Sequence, residues 1–325
     1  MKNIVIIGGG TGTFTLLSGL RKFPTNNAVI VSTADDGGST GRLREELGVI
    51  PPGDIRQCLV GLSYGDAILR DLFSYRFENG SLKGHAMGNI LIAGLEKSTG
   101  SIEQAIAAAA KLLNVRGEVV PVTLHPTRLT ATLEGGKQIV GEHNIDEPRH
   151  NGNLRVKSLR LDKPSPANPR ALALIKKADA IVFGPGDLYT STIPSLLVEG
   201  VGKAIAASAA RKILVVNLMT KWGQTNGFKA SDFARELQVY LQPAKLDTVI
   251  VNTQKPGAGV LERYLKEKAE FVDPDLDTFT DTGTVALKAE LVFDGTFEKN
   301  GADTLTRSIL RHDSDKLAKL IVEAV

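Results

Sequence analysis

The chain opens with a short apolar run, residues 4–7, that passes directly into a glycine-rich GGGTG segment at residues 8–12. A buried parallel strand has this apolar character, and glycines let the backbone turn tightly and approach a ligand. A helical pattern follows, so the N–H groups at its start face the turn, where they favour an anion such as phosphate. The sequence therefore predicts a phosphorylated or nucleotide-like ligand at the carboxyl edge of a parallel sheet.

Short apolar runs alternate with helical patterns along most of the 325 residues, which predicts an α/β fold with a mostly parallel sheet. A polar, glycine-punctuated block at about residues 126–162 differs, because its pattern predicts a hairpin and one more strand. We expect a single α/β domain over residues 1–325 that carries this block as a small antiparallel insertion. Further strands are predicted at residues 28–33, 119–124, 180–183, 213–216 and 248–251, and helices at 102–113, 231–241, 259–268 and 313–324.

Composition argues against several classes of protein. The formal net charge is only +3 and no basic block is present, so we predict no nucleic-acid partner. The single cysteine, Cys58, allows neither an internal disulfide nor a cysteine-rich metal cluster. No apolar run reaches the roughly 18 residues that span a bilayer, and the chain enters a strand without a leader pattern. We expect a cytoplasmic protein without membrane insertion.

A second polar loop, STADDGGSTGR at residues 32–42, follows the second predicted strand. The loop carries two adjacent carboxylates, Asp35 and Asp36, either of which suits the polarisation of a hydroxyl or the binding of a metal ion, while Arg42 and the loop N–H groups suit a phosphate. The alternative is an Asx-turn with a helix cap, for which Asp-Gly-Gly-Ser is also favourable. Because both loops follow strands of the same sheet, we expect them to lie side by side.

Three further segments carry polar groups of the same kind. In PPGDIRQ at residues 51–57, Asp54 is predicted to cap a helix, and Arg56 either lines a cleft or only pairs with it. In GHAMGN at residues 84–89, His85 and Asn89 can share one helical face, although a lone histidine is more often structural. GPGDLYTSTIP at residues 184–194 ends a strand and predicts a second anion-binding turn. Two such turns indicate a ligand with two phosphates, or with a phosphate and a sugar.

The segments GGGTG, DDGGSTGRLREELGVIPPGDIRQCL, GHAMGN and GPGDLYTS, in this order and spacing, resemble the CofD-like superfamily, and its gluconeogenesis-factor (YvcK) branch most closely. The resemblance implies a Rossmann-like three-layer fold and an expected homodimer or larger assembly. Its enzyme branch, 2-phospho-L-lactate transferase, moves a phospholactyl group from a nucleotide diphosphate donor with Mg²⁺. The YvcK-like branch is instead associated with UDP-sugars, notably UDP-N-acetylglucosamine, and with cell shape, wall synthesis and growth on gluconeogenic carbon sources.

By position, the resemblance implies a ligand site in several groups. Gly9, Gly10, Thr11 and Gly12 would cradle phosphate, with Asp36, Gly37, Gly38 and Ser39 on the sugar or metal side. The cleft would be lined by Arg42, Asp54, Arg56, His85 and Asn89 and closed by Gly186, Tyr189, Thr190 and Ser191. In a transferase, Asp36 or Asp54 would hold Mg²⁺ or act as the base. One segment departs from the pattern, since many relatives read MTQPGET where this chain has MTKWGQT at residues 219–225.

Three functional hypotheses follow from these observations. The first is a nucleotide-sugar-binding regulatory protein with little or no turnover, and the second is a Mg²⁺-dependent transferase that uses a nucleotide diphosphate donor. The third, an NAD-dependent oxidoreductase, is disfavoured because Thr13 stands where the GxGxxG fingerprint has its third glycine. The first two need the same anion sites, so the sequence alone does not separate them.

Overall fold

The computed structural model describes residues 1–279, 283–293, 295 and 310–325. The strands, in chain order, are β1 Lys2–Ile7, β2 Thr25–Val31, β3 Glu118–Pro121, β4 Leu129–Leu133, β5 Gln138–Val140, β6 Val156–Leu161, β7 Ala180–Phe183, β8 Arg211–Val215, β9 Thr248–Asn252 and β10 Val285–Ala289. The helices are α1 Gly10–Leu20, α2 Gly38–Leu47, α3 Pro52–Gly61, α4 Ala67–Ser74, α5 Met87–Thr99, α6 Ile102–Leu112, α7 Glu142–Asp146, α8 Pro169–Lys177, α9 Ile193–Leu196, α10 Val201–Ala207, α11 Ala230–Leu241, α12 Ala258–Lys266 and α13 Ser314–Ala324.

Seven parallel strands form the main sheet in the order β10-β9-β8-β7-β1-β2-β3. The chain works outward from β1 to β3 on one side, then returns to the middle at β7 and works outward to β10 on the other side. This reversal makes the carboxyl ends of β1 and β7 a topological switch point. Ligands of open α/β sheets bind at such a point, in the crevice between the loops that diverge there.

Helices cover both faces of this sheet, and the residues of β1 show why. Ile4 and Ile6 pack into one core with α1, α3 and α13, whereas Val5 and Ile7 pack into a second core with α8, α10 and α11. Successive strand side chains point to opposite faces, so a strand covered on both sides has to be apolar throughout. The predicted α/β fold, with Rossmann-like three-layer packing and a mostly parallel sheet, is confirmed.

The predicted antiparallel block is also present, as a three-stranded sheet in the order β5-β4-β6. Its β4–β5 hairpin turns through Gly135 and Gly136, whose φ angles of 84° and 85° lie in the left-handed region that favours glycine. Leu129 and Ala131 of β4 are fully buried in the core shared with the main sheet. The chain then continues from β5 into the short helix α7, which the sequence did not predict.

Some element boundaries differ from the predictions. Asp54 was predicted to cap the next helix, but the cap is Pro51, three residues earlier, and Pro52 is the first helical residue, a position that suits proline. Asp54 therefore lies inside the first turn of α3, and its carboxylate is available to another element. At the start of α8, Asn168 accepts a hydrogen bond from the Arg170 N–H and Pro169 is the first helical residue, as their residue types favour. Within the described ranges, no helix has the length and apolar character needed to cross a membrane.

Candidate functional site

A cavity of about 520 Å³ opens at the carboxyl edge of the main sheet, at the switch point between β1 and β7. The loops that follow β1, β2, β7 and β8 form its walls, together with α7 from the insertion and residues 310–312. A volume of this size is typical of pockets that hold small molecules and cofactors.

The two glycine loops predicted to bind anions meet in this cavity. Gly12, in the first turn of α1, lies so close to the loop after β7 that an added Cβ atom would be 2.4 Å from the Pro185 carbonyl oxygen. Thr13 donates its hydroxyl to the same oxygen at 3.3 Å. Thr13 thus makes a contact between the two loops at the position where the dinucleotide fingerprint has its third glycine.

The carboxylate of Asp54, a residue of α3, lies at the amino-terminal end of α1. The Gly10 N–H donates to its Oδ1 atom at 2.9 Å, and a Cβ atom on Gly9 would lie 1.8 Å from its Oδ2 atom. Glycine at position 9 is therefore required for this close approach. A helix amino terminus favours negative charge, and here a carboxylate of the chain itself takes the first N–H group.

A chain of buried hydrogen bonds supports the same wall. Arg56 Nε donates to Asn89 Oδ1 at 2.9 Å, Asn89 Nδ2 donates to Ser39 Oγ at 3.2 Å, and Ser39 Oγ lies 3.0 Å from His85 Nδ1. Burial and the nearby Arg42 charge lower the pKa of His85, so its ring is neutral at pH 7 and can accept the Ser39 proton. Arg56, Ser39 and Asn89 line the cavity, with His85 behind them.

Three carboxyl groups on the cavity wall, those of Asp35, Glu142 and Asp187, have raised pKa values, and burial is the largest cause in each case. Burial, followed by the charge of Asp54, raises the pKa of Asp35 to about 7, although the Gly37 N–H donates to its Oδ1 atom at 2.9 Å. Burial and the charges of Asp35 and Asp146 raise the pKa of Glu142 well above its ordinary value. A carboxyl group with a pKa near 7 can take up or release a proton in the neutral range.

The cavity wall opposite the first glycine loop consists of charged side chains that form ion pairs. Lys221 Nζ donates to Asp146 Oδ1, and to Asp187 Oδ2 at 2.6 Å. Burial alone would lower the pKa of Lys221, but the charges of Asp187 and Asp146 outweigh burial and raise it above its ordinary value. All three side chains remain about one third exposed or less, at 30%, 27% and 34%.

Comparison with known proteins identifies the family. The family model described as "2-phospho-L-lactate transferase CofD" matches residues 4–292. A Thermotoga maritima relative is 44% identical over 98% of each chain, and a Bacillus subtilis relative named "Gluconeogenesis factor" is 36% identical over 98% of this chain and 97% of its own. This chain belongs to the CofD family. A crystal structure of a Bacillus halodurans protein matches the CofD-family fold seen here with a TM-score of 0.91 and 38% identity, covering 99% of this chain and 100% of that one.

Most of the residues assigned to the site by resemblance line the cavity of this CofD family member. They are Gly9, Gly10, Thr11, Gly12, Gly37, Ser39, Asp54, Arg56, Asn89, Gly186, Thr190 and Ser191. Five others, Asp36, Gly38, Arg42, His85 and Tyr189, are not part of the lining. The predicted segments therefore come together around one cavity, but not every predicted side chain faces it.

Each of those five residues has a different position in the fold. The exposed Arg42 donates from Nη2 to the Lys83 carbonyl at 2.9 Å, outside the cavity, and buried arginines line the wall instead. Asp36 Oδ1 accepts the His143 N–H at 2.8 Å, at the start of α7. Tyr189 is only 1% exposed and its hydroxyl bonds to Glu236. Gly38 begins α2 with a φ of 46°, and His85 lies behind Ser39.

Sequence reasoning missed several charged residues of the cavity. Asp187 lies within the GPGD segment and Asp35 is one of the two carboxylates of the second loop, but neither was assigned to the ligand site. Glu142 and Asp146 are four residues apart, which places them on one face of a helix, but α7 itself was not predicted. Other charged lining residues that were not predicted are Arg76, Glu147, Lys221, Glu267 and Arg311. Lys221 stands in the segment that departs from the family pattern.

Trp222 also lies in that segment and lines the cavity. The Lys268 ammonium lies 4.4 Å from its ring centroid, and Gly152 packs so closely on the indole that a Cβ atom would be 2.5 Å from Nε1. These contacts show a packing role for the side chain.

The expected Mg²⁺ pair, Asp36 and Asp54, does not converge. The Asp36 carboxylate caps the start of α7, whereas the Asp54 carboxylate bonds to the start of α1. Within the described part of the chain, no three His, Cys, Asp or Glu side chains are grouped so that they could hold a metal ion. This donor set does not fit the metal that the resemblance implies.

Proposed function

We propose that this CofD family member is a regulatory protein of the gluconeogenesis-factor type that binds a nucleotide sugar resembling UDP-N-acetylglucosamine. The observation that carries the proposal is the meeting of two glycine loops at the sheet's switch point, around one cavity of about 520 Å³. The names of its relatives support the regulatory role. The proposal includes the link to cell shape, wall synthesis and carbon metabolism.

In this proposal the ligand's pyrophosphate lies beside Arg56, near the first turn of α1, where the Gly10 N–H is already bonded to the Asp54 carboxylate. The Arg56 guanidinium is buried, with 6% exposure, and its Nε atom is engaged by Asn89, which fixes the plane of the group. A positioned guanidinium recognises phosphate oxygens with charge-assisted hydrogen bonds. The sugar hydroxyls then lie toward Thr190, Ser191 and the carboxyl groups of the facing wall.

A second candidate function is the transfer of a group from a nucleotide diphosphate donor to a hydroxyl acceptor. Asp35 favours it, because its pKa of about 7 and its place on the wall suit a base that accepts the hydroxyl proton. Release of nucleoside monophosphate from a donor in the presence of an acceptor tests this function. Asp35→Asn should abolish that release while leaving donor binding intact.

Calorimetric titration with UDP-N-acetylglucosamine, UDP, GDP and NAD tests the first proposal. Arg56→Lys keeps the charge but not the planar group, so we expect UDP-N-acetylglucosamine affinity to fall about tenfold or more. Arg42→Lys is the matched control, and it should leave affinity unchanged because Arg42 is held outside the cavity. Tight NAD binding without any response to UDP-sugars would overturn the proposal.

A further inference from the structure

We infer that Lys221 is a resident cation of the cavity: its ammonium group takes the position between Asp146 and Asp187 that a divalent metal ion could otherwise take. Ligand binding at this wall then needs no added metal. The inference rests on the proposed function only for the identity of the ligand, and the cation itself can be tested without any ligand.

The ammonium group joins three separate segments of the chain. Asp146 ends α7 in the insertion, Asp187 follows β7, and Lys221 follows β8. Nζ of Lys221 donates to Asp146 Oδ1, and to Asp187 Oδ2 at 2.6 Å. One positive charge therefore lies between carboxylates that come from two different segments of the chain.

The backbone around Lys221 is held in place. The Lys221 N–H donates to Thr225 Oγ1 at 2.9 Å, and the Thr220 N–H donates to the Glu270 carbonyl at 2.7 Å. The stem of the lysine therefore starts from a fixed point, and the ammonium is not a mobile surface charge. A lysine fixed in this way can act as a permanent counter-ion.

The oxygen atoms around the ammonium resemble the donors of a hard cation. Asp146 Oδ1 also accepts from Thr190 Oγ1 at 3.1 Å and from Gln224 Nε2 at 3.2 Å. Carboxylate oxygens are the ligands that Mg²⁺ and Ca²⁺ prefer, whereas Thr190 and Gln224 act here as hydrogen-bond donors to Asp146. Lys221 supplies the positive charge here as an ammonium, a compact point charge with three donors.

The charge balance of the wall depends on this lysine. Without it, Asp146 and Asp187 would face each other across a partly buried space with two negative charges, close to Asp35 and Glu142. Such a wall would repel a phosphorylated ligand unless a cation entered. With Lys221 present, one of the two charges is balanced before any ligand arrives.

The first experiment measures Mn²⁺ binding alone by electron paramagnetic resonance, with thermal shift as a second readout. Lys221→Gln should bind Mn²⁺ about tenfold or more tightly than the wild type, because the carboxylate pair loses its ammonium. Lys221→Arg retains a cation and should not gain Mn²⁺. Lys229→Gln is the matched control, since Lys229 pairs with Asp273 at 3.3 Å with both side chains more than half exposed. A folded Lys221→Gln variant that binds Mn²⁺ no better than the wild type overturns the inference.

The second experiment starts with the unmodified protein, and this arm does not depend on the folding of a variant. UDP-N-acetylglucosamine affinity of the wild type should be the same in EDTA and in Mg²⁺, whereas Lys221→Gln should lose about tenfold in EDTA and recover in Mg²⁺. Loss of wild-type affinity in EDTA would contradict the inference. If no UDP-sugar binds to any variant, the proposed function fails, and the Mn²⁺ titration still decides whether Lys221 is the resident cation.

Discussion

The two walls of the cavity are held together by different kinds of interaction. On one wall, Ser39, His85 and Asn89 form a hydrogen-bonded chain to Arg56, and each of these side chains is at most 6% exposed. On the other wall, Lys221 and its two carboxylate partners are bound by charge and are about one third exposed. The first wall is thus a buried polar network, and the second is a partly hydrated ion cluster.

This difference predicts how each wall responds to change. A buried polar group that loses its partner keeps the full cost of its desolvation, so a deletion in the network should mainly reduce stability. Ions that retain some water are screened and can adjust, so a deletion in the cluster should mainly alter charge, salt response and binding.

The largest effect is expected in the buried network. Asn89→Leu removes the acceptor of Arg56 Nε and a donor to Ser39, so the free energy of unfolding should fall by about 3 kcal/mol. Urea denaturation measures this loss. Asn144→Leu, on the exposed side of α7, is the control and should change stability far less. Equal losses in the two variants would mean that the network adds little.

A smaller loss of stability is expected in the ion cluster. Lys221→Met leaves two carboxylates without their cation, and partial hydration should limit the cost to about 1–2 kcal/mol. The loss of stability should be smaller in about 0.5 M salt or more, where the repulsion between the two carboxylates is screened. Denaturation at two salt concentrations checks both points. A salt-independent loss as large as that of Asn89→Leu would remove the distinction between the walls.

The contact between α7 of the insertion and the loop after β2 should contribute less to stability than the ion cluster does. Asp36→Ala deletes the acceptor of the His143 N–H at the start of α7, which should cost about 1 kcal/mol. Hydrogen exchange of the α7 amides should increase more than that of the main sheet. If exchange rises equally everywhere, Asp36 supports the whole fold and not this attachment.

The smallest effect concerns pH. Asp35 is protonated below its pKa of about 7 and charged above it. The affinity for an anionic ligand should therefore fall about a few-fold as the pH rises from slightly acid to slightly alkaline. Asp35→Asn should abolish that change. Because the folded pKa is raised above the ordinary value, wild-type stability relative to Asp35→Asn should decline as pH rises toward 7 and then level off. An affinity that rises with pH would mean that the charged carboxylate assists binding.

Much of the fold could be predicted because its signals are local. An apolar run followed by glycine indicates the end of a buried strand, as at β1. An Asn-Pro pair indicates the start of a helix, as at Asn168 and Pro169 of α8. The β4–β5 hairpin is of the same kind, since Gly135 and Gly136 mark its turn. Such signals depend on backbone sterics, which act within a few residues.

The side chains that face the cavity were harder to predict. Arg42 and Arg56 both follow glycine-rich segments, yet Arg42 bonds to the Lys83 carbonyl outside while Arg56 is buried in the wall. The ion cluster had no local signal at all, because Asp146, Asp187 and Lys221 come from segments that only tertiary packing brings together. The positions of these residues along the chain do not indicate that their side chains meet in the folded protein.

The short helix α7 is attached on both of its ends to loops of the main sheet. Asp36 meets its first turn from the β2 side, and Lys221 meets its last residue from the β8 side. These loops flank the switch point from opposite directions, so the helix acts as a spacer across it. The gap between them is set by the five residues of α7, and adding or deleting a residue there should change the size of molecule the protein accepts while leaving the glycine turns untouched.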